Sequence, residues 1–139
     1  MMALKKRSKR KKLPRISLLW NRAWQLQSKY IRLKYADFQG YVHCYTCDKV
    51  FHWTQLQAGH FVHQSYDFDI EANIRPQCTA CNNWGHGKPL EYYLHLVQEI
   101  GKEAADNAKN RKHSNPYNRQ DLLDLISKYD QALLRQMRS

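Results

Sequence analysis

Cys44-Tyr-Thr-Cys47 and Cys78-Thr-Ala-Cys81-Asn82 hold all four cysteines of this 139-residue chain, and their reading decides the fold. Two CxxC pairs offer four thiolates, the donor set of a closed tetrahedral zinc site. Two disulfides are the alternative. The charged N-terminus is followed by no apolar run that would serve as a signal segment or span a bilayer. The expected setting is therefore the cytoplasm, with no membrane partner. In a reducing compartment CxxC pairs bind metal more often than they crosslink. A metal staple also suits a chain with only a modest core.

Thirty residues separate Cys47 from Cys78, more than a plain zinc ribbon needs. The insert carries Gln57-Ala-Gly-His60-Phe61, then His63, Asp67, Asp69, Glu71 and Asn73. Clamping both ends of a long insert makes sense if it must hold a fixed geometry, as metal-dependent phosphodiester cleavage requires. An imidazole titrates near neutrality and suits a general base. Asn and Asp offer the hard oxygen ligands that Mg²⁺ prefers. Each residue also has a plainer reading. A lone histidine is ordinarily just hydrogen-bonded, Asn82 would cap a following helix, and Asp67 and Asp69 would make local turns.

Outward from the insert, the aromatic and β-branched content predicts a strand over 41–46 and a second over 51–57, with His43 and His52 as cross-strand partners. Residues 64–77 read as an irregular excursion. Helical spacing of apolar residues predicts helices over about 17–35, 89–100, 103–110 and 118–137. The last carries Leu122, Leu123, Ile126, Tyr129, Leu133 and Leu134, a stripe that serves as core or as a dimer seam. Trp84 and Tyr92 are candidates for stacking on bases, although aromatics at such spacing are usually core.

The formal charge of +11 is unevenly placed. Residues 1–36 contain twelve Lys or Arg and no acid, whereas the remainder carries eleven basic and twelve acidic residues. Such a basic segment implies a polyanion partner, because neutralised phosphates release their condensed counterions. Solvated, solubilising charge is the plainer reading. Lys5, Lys6, Arg7, Lys9, Arg10, Lys11 and Lys12 form an arm too poor in apolar residues to fold alone. Arg15 and Arg32 extend it onto the first helix, and Arg75 and Lys88 are further candidate phosphate contacts.

Several of these residues carry a family resemblance. Lys29-Tyr-Ile-Arg-Leu33, Gly40-Tyr-Val, Cys44-x-Thr-Cys47, Gln57-Ala-Gly-His60-Phe61, Phe68-Asp-x-x-x-Asn73, Gln77-Cys-x-x-Cys-Asn82 and Tyr93…Gly101 together resemble the phage NinG/Rap recombination endonucleases, over about residues 4–101. That layout is similar in turn to the HNH, or ββα-metal, nucleases and to the phage junction-resolving endonuclease VII. The resemblance implies an α+β fold, a small zinc-stabilised ββα-metal core flanked by N- and C-terminal helices. With the composition and the apolar spacing it gives a disordered arm at 1–13, a nuclease domain at 14–110 and a C-terminal helix at 111–139 for core packing or dimerisation.

The same resemblance makes His60 the general base at the end of the second strand, and Asn73 the brace of its loop. Asn82 becomes a ligand of a catalytic Mg²⁺ or Mn²⁺, with Asp67, Asp69, His63 and His86 as further candidates. The substrate it implies is branched DNA, such as Holliday junctions or D-loops, inside the phage's host cell. Symmetric junction cleavage would need two active sites, hence a homodimer. Two positions depart from the pattern. Gly59 stands where many HNH enzymes have a ligating Asp, and Lys88 stands where a NinG-like Asn is usual. These departures favour a second function, a non-catalytic zinc module that binds DNA. A sequence-specific nicking or homing-type nuclease on the same core is a third.

Overall fold

The computed structural model describes residues 12–62, 71–111 and 116–138. The expected contributions of Lys5, Lys6, Arg7, Lys9, Arg10, Lys11, His63, Asp67 and Asp69 lie outside those residues.

Helix α1, Ile16–Lys34, follows Pro14 and buries Leu19, Ala23, Leu26 and Ile31, an i, i+4, i+7, i+12 row. Arg32 and Lys34 in its last turn complement the helix dipole. The chain then reverses. Asp37 Oδ1 accepts from the Gln39 and Tyr41 amides, both at 2.9 Å, and Gly40 adopts φ +89°. A side chain at 40 would also meet the His52 ring at 2.8 Å, so glycine is needed twice over.

Strands β1, Tyr41–His43, and β2, Val50–His52, pair antiparallel around the first cysteine pair. This hairpin is shorter than expected, because residues 44–49 close the knuckle through Cys44 N–H to Lys49 O and Asp48 N–H to Cys44 O. His43 faces Val50 and His52 faces Tyr41, so the two imidazoles are not cross-strand partners.

The predicted continuous strand over 51–57 is broken. Trp53–Gln55 forms a 3₁₀ turn, capped by the His52 side chain. A separate strand follows, β3, Gln57–His60. Its partner is β4, Ile74–Gln77, antiparallel with Gln57 opposite Gln77 and His60 opposite Ile74. Residues 74–77 had read as irregular, since Pro76 demotes a strand. Here Pro76 sits in a two-stranded hairpin and lends its carbonyl to the Tyr45 amide of the first knuckle. His60 thus ends the third strand of the chain.

Beyond β4 lies the second cysteine pair, then a π-helical turn, Ala80–Trp84, closed by Gly85 N–H to Ala80 O at 2.7 Å. Helix α2, Pro89–Ile100, starts on proline, whose missing N–H costs nothing at that position. Gly101 at φ +90° separates it from α3, Lys102–Lys109. Helix α4, Arg119–Arg138, returns along α1. Leu122, Leu125, Tyr129 and Leu133 join α1, Ala58 and Ile74 in one core, while Leu123 and Leu134 of the same stripe are exposed. A second cluster gathers Tyr45, Phe61, Tyr92 and Leu96, and a third surrounds the cysteines with Val42 and Leu56. No helix among the described residues is long and apolar enough to cross a membrane.

Candidate metal centre and the hairpin beside it

The knuckles of the first and second cysteine pairs bring Cys44, Cys47, Cys78 and Cys81 together, with one sulfur of each within 4.8 Å of the others. Tetrahedral zinc–thiolate bonds place sulfurs about 3.8 Å apart, and Cys47 and Cys78 stand at 3.7 Å. The four thiols therefore form a cluster that could bind zinc, and the free state of all four agrees with metal rather than disulfides. Burial pushes the Cys44 thiol up. The N–H groups of Cys78, Thr46 and Cys47 outweigh it and bring that thiol down to about 6. Burial instead pushes the Cys81 thiol up to about 12 in the metal-free protein.

The second cysteine pair leads straight into the π-turn, and Asn82 lies inside it. Neither that turn nor α2 uses Asn82 as its N-cap. Its Nδ2 donates instead to Gln57 Oε1 at 2.8 Å, tying the turn to the start of β3.

His60 occupies the other end of that strand. Its ring stacks on Trp24 of α1, centroids 5.0 Å apart and planes 16° apart. Strand alternation sends Gln57 and Gly59 to one face and Ala58 and His60 to the other, and Ala58 packs toward α1. His60 is thus about 10 Å along the strand from the residue that holds Asn82. Asn73 is fully buried and clasps Val62 both ways: Oδ1 accepts from the Val62 amide at 2.7 Å, and Nδ2 donates to its carbonyl at 3.1 Å. Tyr92, also fully buried, donates to the Gly59 carbonyl at 2.9 Å, fastening the same strand from α2. Tyr92 is core and unavailable for base stacking; Trp84 is 82% exposed.

Gly59 has a structural reason. A Cβ there would fall 1.8 Å from Gln77 Oε1. The Gln77 carboxamide fills that space and is fully buried, its Nε2 donating to Thr46 Oγ1 at 3.1 Å and to Gly87 O at 2.9 Å. Its Oε1 is buried without a hydrogen-bond partner.

Three expected contacts are redirected. Arg75 is 4% exposed and cannot reach a phosphate. Its Nε donates to Glu99 Oε1 at 3.0 Å, and its guanidinium lies over the Tyr35 and Tyr45 rings. Both tyrosine hydroxyls donate to the same carboxylate at 2.7 Å. Arg32 is half-buried against Trp53 and donates to the Trp53 and Leu56 carbonyls. His86, a further candidate ligand, shares no helical face with Asn82: the turn ends at Trp84, and His86, Gly87 and Lys88 all take positive φ. Among the described residues the only cluster of three or more His, Cys, Asp or Glu placed to hold a metal is the cysteine one. Lys12, Arg15 and Lys88 are exposed.

Sequence reasoning missed Gln57, Gln77 and Glu99. Gln57 and Gln77 had a signal, each being the first residue of a quoted motif. Glu99 had none.

The fold and the site define a small α+β protein with two antiparallel hairpins and a cysteine cluster able to hold zinc. Residues 2–139 match the family described as Bacteriophage Lambda NinG protein, and the chain belongs to it. The protein ninG of Escherichia phage 933W is 29% identical over 123 residues, which is 84% of this chain and 58% of that protein; the protein ninG of Enterobacteria phage VT2-Sa gives the same values. The chain therefore spans a little over half the length of these relatives. No solved structure matches it.

Proposed function

We propose that this chain is a divalent-metal-dependent DNA endonuclease acting on branched recombination intermediates. The observation that carries the reading is a strand–strand–helix unit clamped by four thiols, with His60 ending the first strand of the hairpin and Asn82 in the helical turn. That order supports an HNH-like, ββα-metal arrangement, with zinc in the cysteine cluster as a structural ion.

In this reading His60 takes the proton of the attacking water while Trp24 holds its ring plane. Asn73 and Tyr92 hold the strand end that carries it. Asn82, its Nδ2 engaged by Gln57, would offer Oδ1 to Mg²⁺ or Mn²⁺, with substrate phosphate, water, or Asp67 or Asp69 as the other ligands. The chemistry such an ion supplies is neutralisation of the phosphate and the departing 3′-oxygen. Lys12, Arg15 and the basic residues before them supply sequence-independent affinity.

The test is cleavage of junction and linear DNA with Mg²⁺ or Mn²⁺. Changing His60→Ala is expected to slow cleavage by about 10²–10⁴-fold, the usual contribution of a general base. Full activity in a folded, zinc-loaded His60→Ala protein removes His60 from the role. Absence of cleavage of any substrate by the wild type favours a second reading, a zinc-stabilised DNA-binding module. The filling of the Gly59 position by Gln77, where a ligating acid would stand, is what supports that alternative.

A further inference from the structure

A cleft of about 580 Å³ opens between the two knuckles, lined by Phe51, Gln55, Trp84, Lys49 and Lys88 over the sulfurs of Cys47, Cys78 and Cys81. We propose that it holds an unstacked nucleobase of single-stranded or branched DNA, gripped between Trp84 and Phe51. The inference rests on the DNA-directed reading above and assigns it a second contact, separate from His60.

Three observations carry it. Trp84 is 82% exposed, a large apolar ring left in water where one aromatic partner would cover it. Phe51, on β2, supplies a second aromatic in the same cleft. The chain also maintains an unfavourable backbone here. His86 and Lys88 both sit in the left-handed region, φ +54° and +49°, which side chains rarely adopt, and such strain gathers at ligand sites. Lys88 folds its stem across Gly85, so that a Cβ at 85 would meet Lys88 Cε at 2.7 Å. That fold holds its ammonium at the cleft.

The electrostatics select the occupant. No described acid lines the cleft. Asp48, the nearest in sequence, turns to His43 Nδ1 at 3.1 Å. Zinc on four thiolates retains a double negative charge, which Lys49 and Lys88 offset. With that charge offset, the cleft favours a flat neutral ring. The volume is ample for one nucleotide and matches ordinary ligand pockets. Base stacking on an aromatic is tolerant of sequence, as a contact for branch points of varied sequence must be.

The experiment measures fluorescence-anisotropy binding of an oligo-dT strand and a fully paired duplex to the zinc-loaded full chain, without divalent ions that permit cleavage. Zinc content is checked in each variant. Trp84→Ala is expected to weaken oligo-dT binding roughly tenfold and leave duplex binding unchanged, while Trp84→Phe keeps most of the affinity. Equal oligo-dT affinity for wild type and Trp84→Ala overturns the proposal, as does an equal loss on duplex and single strand. If sedimentation shows that Trp84→Ala dissociates a wild-type dimer, a second copy of the chain is the occupant and the proposal fails. A wild type that binds no DNA removes the DNA-directed reading itself. Loss of cleavage in His60→Ala leaves this inference standing.

Discussion

Gly59 and Gln77 are one structural decision made at two positions. Replacing Gly59→Asp would drive a carboxylate into the Gln77 side chain, which is itself held by Thr46 and Gly87. Overpacking of this kind costs about 1–3 kcal/mol. Thermal denaturation should therefore show Gly59→Asp melting several degrees below wild type, with much of the loss recovered in Gly59→Asp/Gln77→Ala. A Gly59→Asp protein as stable as wild type would mean that Gln77 moves aside freely. The sequence showed the departure at 59 but not its cause, because residues 18 apart in the chain meet only once β3 and β4 pair.

At the scale of elements, one carboxylate joins four of them. Glu99 of α2 accepts from Tyr35 at the end of α1, from Tyr45 in the first knuckle and from Arg75 on β4. Partial burial pushes its carboxyl up, and the Tyr35, Tyr45 and Arg75 hydrogen bonds outweigh that to hold it below its ordinary 4.5. A carboxyl depressed in the folded state adds stability that is fully present above its unfolded value. That stability is lost as the pH falls through the folded value. Acid unfolding should thus steepen below about pH 4.5. Glu99→Gln should cost about 2 kcal/mol near neutrality, since it removes the carboxylate charge that faces the buried Arg75 guanidinium. Denaturant titrations at two pH values check both, and an unchanged pH profile in Glu99→Gln would remove Glu99 as the source.

The elements themselves were unevenly legible. All four α-helices stand within one or two residues of their periodic patterns, because local spacing decides them. Strand β4 did not read as a strand. It is four residues long and contains Arg75 and Pro76, and it exists because β3 and the first knuckle pair with it. Among the site residues, the cysteine cluster was legible from spacing alone. Arg75 looked like a surface cation because nothing local shows that two tyrosines and a glutamate will enclose it.

For the molecule as a whole, the cysteine cluster ties the β1–β2 knuckle to the turn that follows β4. The α1–α4 core also takes in Ala58 of β3 and Ile74 of β4, whereas the small cluster of Val42, Leu56 and the cysteines has few large side chains. Chelation of zinc should then act selectively. Treatment with a strong chelator, or Cys78→Ser, is expected to collapse hydrogen-exchange protection in β1 and β2 while β3, β4 and much of the helical circular dichroism from α1 and α4 persist. Uniform loss of protection across both regions would show a single cooperative unit instead.

The π-turn at Ala80–Trp84 has a consequence for how this family can drift. A π-turn carries one residue more than the α-helical turn it resembles, so it acts as a phase setting. Everything after the extra residue is rotated by about 100° relative to a regular helix. A relative that deletes Asn83 could keep both knuckles intact and still swing the residue at Trp84 out of the cleft. Indels of a single residue here would change what the surface presents without touching the fold.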